Sequence, residues 1–246
     1  MKKLYIFFTF IIFGIISYGA NFSVAPTRFE LDINKVATNE VHIFNNTSKP
    51  LRIETYLESD KNFGEKYNLN KNIAVFPKVI AIKPGAKQVV RFRVKPSKDL
   101  AEGENKSYLV FKELPGNIKT TAPQNSDGST TNISILTELG ISIYGHLGEE
   151  ILKGKLENVE VITKKTYIVL RGNATSKGNT SLKFRYKLES KSGKVLSEGT
   201  FGNSPRNGKA KLGLNLGNFP ELAGKTVIIK IVDQKDKIYY EKKITL

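Results

Sequence analysis

Residues 132–143 read Asn-Ile-Ser-Ile-Leu-Thr-Glu-Leu-Gly-Ile-Ser-Ile, and Ile133, Ile135, Leu139, Ile141 and Ile143 share one parity that only Thr137 interrupts. Successive side chains of a strand point to opposite faces, so this spacing predicts one long strand, Ile133–Ile143, with one strongly apolar face. It follows Gly116–Thr131, a Gly/Ser/Thr/Asn-rich stretch with no apolar period. A long apolar strand beside such a loop invites pairing with other chains. The segment is therefore either a buried sandwich strand or a strand kept for a partner.

The same period of two recurs along the chain. Val41–Phe44 ends at Asn45-Asn46 with Ser48-Lys49-Pro50 following, Leu51–Leu57 alternates cleanly, Ile73–Ile82 is broken by Pro77 and closed by Lys83-Pro84-Gly85, and Val89–Val94 and Tyr108–Phe111 end before Pro96 and Pro115-Gly116. Strands separated by Pro, Gly and Asn turns, with no convincing helical stretch, describe an all-β sandwich. Phe22 and Val24 are even while Phe29, Leu31 and Ile33 are odd, with Pro26 between them. Proline is tolerated at a strand edge or bend, so this parity flip predicts a strand that changes sheets at Pro26. After His146-Leu147-Gly148 a second set of runs begins: Leu156–Val161, Tyr167–Leu170, Leu182–Leu188, Leu212–Leu216, Val227–Val232 and Ile238–Ile244. The division is 21–147 for a first domain and 148–246 for a second β-sandwich of ordinary domain size.

Residues 1–20 carry the pattern of a signal peptide: Lys2 and Lys3, an apolar Leu4–Ile16 broken by Thr9 and Gly14, then Ser17-Tyr18-Gly19-Ala20 with small residues at its end. The apolar run is short for a membrane span, which needs about 20 residues, so stable membrane insertion is not expected. Removing these residues takes the formal charge from +16 to +14. The lysines are scattered, as in Lys164-Lys165 and Lys242-Lys243, rather than gathered in a block; nucleic acid is not an expected partner of an exported chain of this kind. The chain has no cysteine, which excludes disulfides, cysteine nucleophiles and Cys-based zinc sites.

Catalytic patterns are missing as well. The two histidines are His42, within a strand run, and His146, at the domain junction, without metal-ligand spacing. Glu149-Glu150 would point to opposite faces of a strand and make a poor acid–base pair. No G-x-S-x-G elbow or phosphate loop occurs. The chain reads as a non-enzyme with no cofactor and no metal.

Three segments together resemble the PapD-like periplasmic chaperones of pilus assembly. Pro77–Arg91 (Pro-Lys-Val-Ile-Ala-Ile-Lys-Pro-Gly-Ala-Lys-Gln-Val-Val-Arg) is similar to that family's proline, hydrophobic, Pro-Gly, Gln-x-Val/Ile-Arg signature. Ser107–Pro115 resembles its next strand, ending Glu-hydrophobic-Pro, and Phe22–Phe29 its first strand, with Arg28 at the arginine position. The resemblance covers roughly residues 22–146; the second domain shares strand content only.

The resemblance implies two immunoglobulin-like domains in an L or boomerang. It also implies a periplasmic chaperone of pilus or fimbrial subunits that fills an incomplete subunit sandwich with its own G strand and delivers the subunit to an outer-membrane usher. Ile133, Ile135, Thr137 and Leu139 fall at the donor positions. In the family an arginine and a lysine grip the subunit's C-terminal carboxylate; Arg28 matches the arginine, while the lysine position holds Ser142, or Ile141 in a register shifted by one. Lys106 stands where the family's interdomain network would have an acid, and His146 where it would have a basic residue. An exposed apolar donor strand also raises self-capping by dimerisation. The competing reading is an exported Ig-like structural or adhesive surface protein or interaction module; the chain runs to Lys243-Ile244-Thr245-Leu246 within a strand pattern, where such a protein would be expected to carry an anchoring tail.

Overall fold

The computed structural model describes residues 20–116 and 135–246. Among them the first half forms nine strands: β1 (Phe22–Ala25), β2 (Arg28–Asp32), β3 (Ala37–Asn45), β4 (Leu51–Glu58), β5 (Ile73–Phe76), β6 (Val79–Ile82), β7 (Lys87–Val94), β8 (Gly103–Leu114) and β9 (Glu138–Leu147). They build a four-stranded sheet, β1-β3-β7-β5, facing a five-stranded sheet, β2-β9-β8-β4-β6. The chain crosses between the sheets at Pro26 and again at Pro77, each a place where a missing N–H ends a ladder. The parity flip around Pro26 is thus a real change of sheet.

Inward-facing side chains of both sheets close one apolar core. Phe22, Ile33, Ile43, Ile53, Leu69, Phe92, Leu109, Phe111, Ile141 and Ile143 are buried there, and Phe29 meets Phe92 edge to face at 4.9 Å. Strand β9 runs antiparallel to β8 over its whole length but parallel to β2 only from Ser142 onward.

The second half supplies seven strands: β10 (Gly154–Lys164), β11 (Tyr167–Ser176), β12 (Leu182–Ser190), β13 (Val195–Ser204), β14 (Lys209–Asn218), β15 (Thr226–Val232) and β16 (Ile238–Thr245). Sheets β10-β11-β14 and β13-β12-β15-β16 enclose a separate core around Ile168, Leu170, Leu182, Phe184, Leu188, Ile229 and Ile231. The molecule is all-β, two immunoglobulin-like β-sandwiches, with only three short 3₁₀ turns among the described residues.

Two differences from the sequence reading have physical causes. Strand β13 has no alternating apolar pattern: Gly199, Gly202 and several hydroxyl residues make it up, and of its larger apolar residues only Phe201 is buried. Strand β8 begins at Gly103 rather than Tyr108 because Glu104, Asn105, Lys106 and Ser107, polar and therefore unlike a core strand, are all buried. Each makes a hydrogen bond to a partner distant in sequence or to local backbone: Ser107 Oγ accepts the Leu69 N–H at 3.0 Å, and Asn105 donates through Nδ2 to the Ala101 carbonyl at 2.7 Å, although its Oδ1 has no partner among the described residues. Buried polar groups are retained when hydrogen-bonded.

Glu104 joins the two sandwiches. Its carboxylate, 1% exposed as a residue, accepts the Ser181 N–H and the Thr180 hydroxyl, the latter at 3.2 Å. Its backbone carbonyl accepts Arg206 Nη1 at 2.6 Å, and Arg206 lies 3.8 Å above the Tyr67 ring. Gly103, at φ +88°, lets the Asn179 carbonyl approach to where a Cβ would stand 2.1 Å away; only glycine tolerates both the backbone angle and the contact.

Candidate functional site: a strand edge and an interdomain carboxylate cleft

The expected strand Ile133–Ile143 is shorter at its start. Ordered pairing begins at Glu138, opposite Lys112, and residues 135–137 lie outside the strand. Strand β8 runs on only to Leu114 before Pro115, and ahead of Glu138 its ladder contributes one further bond, from the Glu113 N–H to the Thr137 carbonyl. Ile133 lies outside the described residues. Ile135 is 83% exposed and Leu136 is exposed too. Leu139 packs half-buried against the chain's own core, and Ile141 and Ile143 are buried in it.

Thr137 is held at the root of this segment. Its N–H donates to Glu113 Oε2 at 3.0 Å, and its carbonyl accepts the Glu113 N–H at 2.9 Å. The same Glu113 oxygen accepts Asn21 Nδ2 at 2.8 Å, and Thr137 Oγ1 accepts the Asn21 N–H at 3.4 Å. Over Glu138–Ile141 the edge of β9 away from β8 has no strand partner among the described residues.

Where that open edge ends, β2 begins. Arg28 and Ser142 are register partners across the parallel pair, and the Ser142 N–H donates to the Thr27 carbonyl at 3.1 Å. The Arg28 guanidinium lies 4.1 Å from the centre of the Tyr144 ring, a cation–π arrangement. It also donates through Nε and Nη2 to Glu30 Oε1, at 2.9 and 2.7 Å. Glu30 is shared: Lys183 of the second sandwich donates to both its oxygens at 2.6 Å. Burial pushes the Glu30 carboxyl up, but the hydrogen bonds from Lys183 and Arg28 outweigh it and hold it below the usual carboxylate range. These three side chains line a cleft of about 290 Å³ between the sandwiches, with Phe184, Arg185 and Gln234 on its far wall.

Lys106 stands close by, on the far side of Tyr144, 5.1 Å from the ring centre. It is already committed: Nζ lies 2.6 Å from Asp60 and 2.8 Å from the Tyr108 hydroxyl. Burial would lower its pKa, yet the bonds to Asp60 and Tyr108 leave it raised. His146 Nδ1 lies 3.6 Å from Glu150, away from this cleft's lining.

Of the residues singled out in the sequence, Arg28 and Ser142 are thus brought together, with Leu139 and Thr137 on the same strand or at its root. Sequence reasoning missed Glu30, Lys183 and Glu113. An ion pair between residues 30 and 183 leaves no local signal. The i, i+2 spacing of Arg28 and Glu30 on one strand face was the one trace available.

The fold is an all-β pair of immunoglobulin-like sandwiches in which, among the described residues, the last strand of the first leaves an edge unpaired and Arg28 stands at the end of that edge. Residues 21–142 match the family model described as "Pili and flagellar-assembly chaperone, PapD N-terminal domain", and the chain belongs to that family as a divergent member. No curated protein sequence matches the chain. Among solved structures it is similar to the E. coli chaperone DraB (10% identity, 92% of this chain and 96% of that one, TM-score 0.47). It is similar also to the Salmonella enterica SafA pilin in complex with the SafB chaperone (12%, 92% and 97%, 0.46). A third is the CsuC–CsuE chaperone–tip adhesion subunit pre-assembly complex of Acinetobacter baumannii (17%, 92% and 99%, 0.45).

Proposed function

We propose that this protein is a periplasmic chaperone that binds pilus or fimbrial subunits by donor-strand complementation and hands them to an outer-membrane usher. The observation that carries the reading is the exit of the 135–137 segment from the sandwich beside a strand edge with no partner among the described residues, with Ile135 presented to solvent. An incomplete subunit sandwich offers a groove one strand wide. Main-chain hydrogen bonds along the edge supply affinity, and alternate side chains supply register.

Ile133 and Ile135 are the groove-filling residues in this scheme, with Thr137 and Leu139 continuing the same face toward the root. Fully burying one isoleucine contributes about 1.5–3 kcal/mol before ordering costs, so two make an anchor. Arg28, with Ser142 beside it, receives the subunit's C-terminal carboxylate, since a guanidinium matches a carboxylate with two parallel hydrogen bonds. The apolar segment at residues 1–20 serves as the export signal. The family assignment of residues 21–142 supports the role.

The test is co-purification from the periplasm of wild type and the double variant Ile133→Asp/Ile135→Asp. The expected result is a small secreted subunit bound to the wild type and absent from a folded variant. A wild type that retains no subunit, or a variant that unfolds, would show that the segment belongs to the core of a structural module.

A further inference from the structure

Glu30 is an internal carboxylate gripped by one cation from each sandwich. Its oxygens take Nε and Nη2 of Arg28 and, at 2.6 Å, Nζ of Lys183. The position aligned with a second clamp cation on β9 is Ser142, which brings no charge, and the nearby Lys106 is enclosed with Asp60. Lys183 is the lysine that converges with Arg28 on one anion, and it does so across the interdomain cleft. All three groups remain part-exposed, at 46, 41 and 34% for Arg28, Glu30 and Lys183, so a carboxylate arriving from solvent can reach both cations. Arg185 on the same wall is drawn away by Asp236 at 2.8 Å. The local balance of Arg28, Lys183 and Glu30 is one positive charge in excess, which one further carboxylate neutralises.

We propose that this cleft is a carboxylate-binding site in which Lys183 supplies the second cation and Glu30 is a built-in occupant that an incoming C-terminal carboxylate competes with and displaces. The inference rests on the chaperone reading for the identity of the ligand, a protein's free C-terminus, but the site itself is testable without a subunit. Competition by Glu30 sets a threshold: a carboxylate that comes alone exchanges one anion for another at little gain, whereas one attached to a strand that also pairs with β9 gains the strand contacts besides. Such a device discriminates against free carboxylates and unattached chain ends.

The probe is N-acetylphenylalanine, with N-acetylphenylalaninamide as the uncharged control, titrated into the full chain and followed by NMR at the Arg28, Ser142 and Lys183 signals. The acid is expected to give saturable shifts there and the amide none. Glu30→Gln removes the competitor's charge and is expected to tighten binding about fivefold, while Lys183→Met weakens it by a similar factor, the equivalent of about 1 kcal/mol for a part-exposed ion pair. Lys183→Arg should restore binding, and the remaining amide signals report that each variant is folded. Absence of saturable shifts in Glu30→Gln, an affinity no tighter in Glu30→Gln than in wild type, or equal affinity in Lys183→Met overturns the proposal. Subunit co-purification is scored separately. Carboxylate binding without any retained subunit would leave the site standing and remove the chaperone reading. A subunit retained equally by wild type and Lys183→Met, with no probe binding, would do the reverse.

Discussion

Glu113 and Thr137 are bonded twice: the Glu113 carboxylate accepts the Thr137 N–H at 3.0 Å, and the Glu113 N–H donates to the Thr137 carbonyl at 2.9 Å. A strand ladder and a side chain thus hold one residue at the point where the exposed segment leaves the sandwich. Glu113→Ala removes the charge-assisted bonds to Thr137 and Asn21, and a hydrogen bond to a charged group contributes about 1.5–3 kcal/mol. The expected outcome is faster hydrogen exchange at the Thr137 amide, with exchange in β7 unchanged.

Isoleucines of one parity in one run should behave in opposite ways. Ile141 is buried in the core, and Ile141→Ala is expected to destabilise the protein by about 2–5 kcal/mol. Ile135 is exposed, and Ile135→Asp should stay within about 0.5 kcal/mol of wild type while losing the subunit. Urea denaturation of the free proteins and pull-down from the periplasm separate the two effects.

The Lys106–Asp60 pair makes a pH prediction. Burial raises the Asp60 pKa, but the hydrogen bond from Lys106 outweighs it and leaves the group lowered. A lowered carboxyl contributes stability above its unfolded pKa of about 3.9, lost as pH falls through the folded value. Lys106, with its pKa raised, contributes stability below its unfolded value of about 10.4, lost only as pH rises through a higher one. The pair therefore stabilises the first sandwich from about pH 4 to above pH 10. Asp60→Asn strands a buried ammonium at a cost of about 3 kcal/mol, and the gap between variant and wild-type melting temperatures should close below pH 4.

Glu104→Ala leaves the Ser181 N–H without its acceptor at the junction of the sandwiches, a loss of about 1–3 kcal/mol. Differential scanning calorimetry is expected to show the two sandwiches unfolding in better separated transitions than in wild type. A single transition at the wild-type temperature would mean that the contact couples nothing.

The apolar half of this molecule was legible in its sequence, and the polar half was not. Parity placed Leu139, Ile141 and Ile143 on one face and put a sheet change at Pro26, because pleat and proline are local constraints. The register that sets Arg28 opposite Ser142 was accessible through the family resemblance alone. The start of β9 at Glu138 depends on where β8 loses its ladder, and the burial of Glu104 and Lys106 depends on Ser181 and Asp60, groups 77 and 46 residues away along the chain. Hydrophobic period carries no information about such partners.

The parallel run of β2 beside β9 also gives the junction a sense of direction. Among the described residues the open edge of β9 stops at Ser142, where β2 starts with Arg28. A foreign strand laid along that edge in the direction of β2 arrives with its last residue against the guanidinium. Turned around, it would bring an ammonium there instead, and like charges repel. An internal segment running the favoured way would have to continue into space that Thr27 and Arg28 already fill. For the proposed function this geometry would select for polarity and for chain ends together: it would admit the finishing strand of a polypeptide and refuse the same hydrophobic pattern placed anywhere else in it.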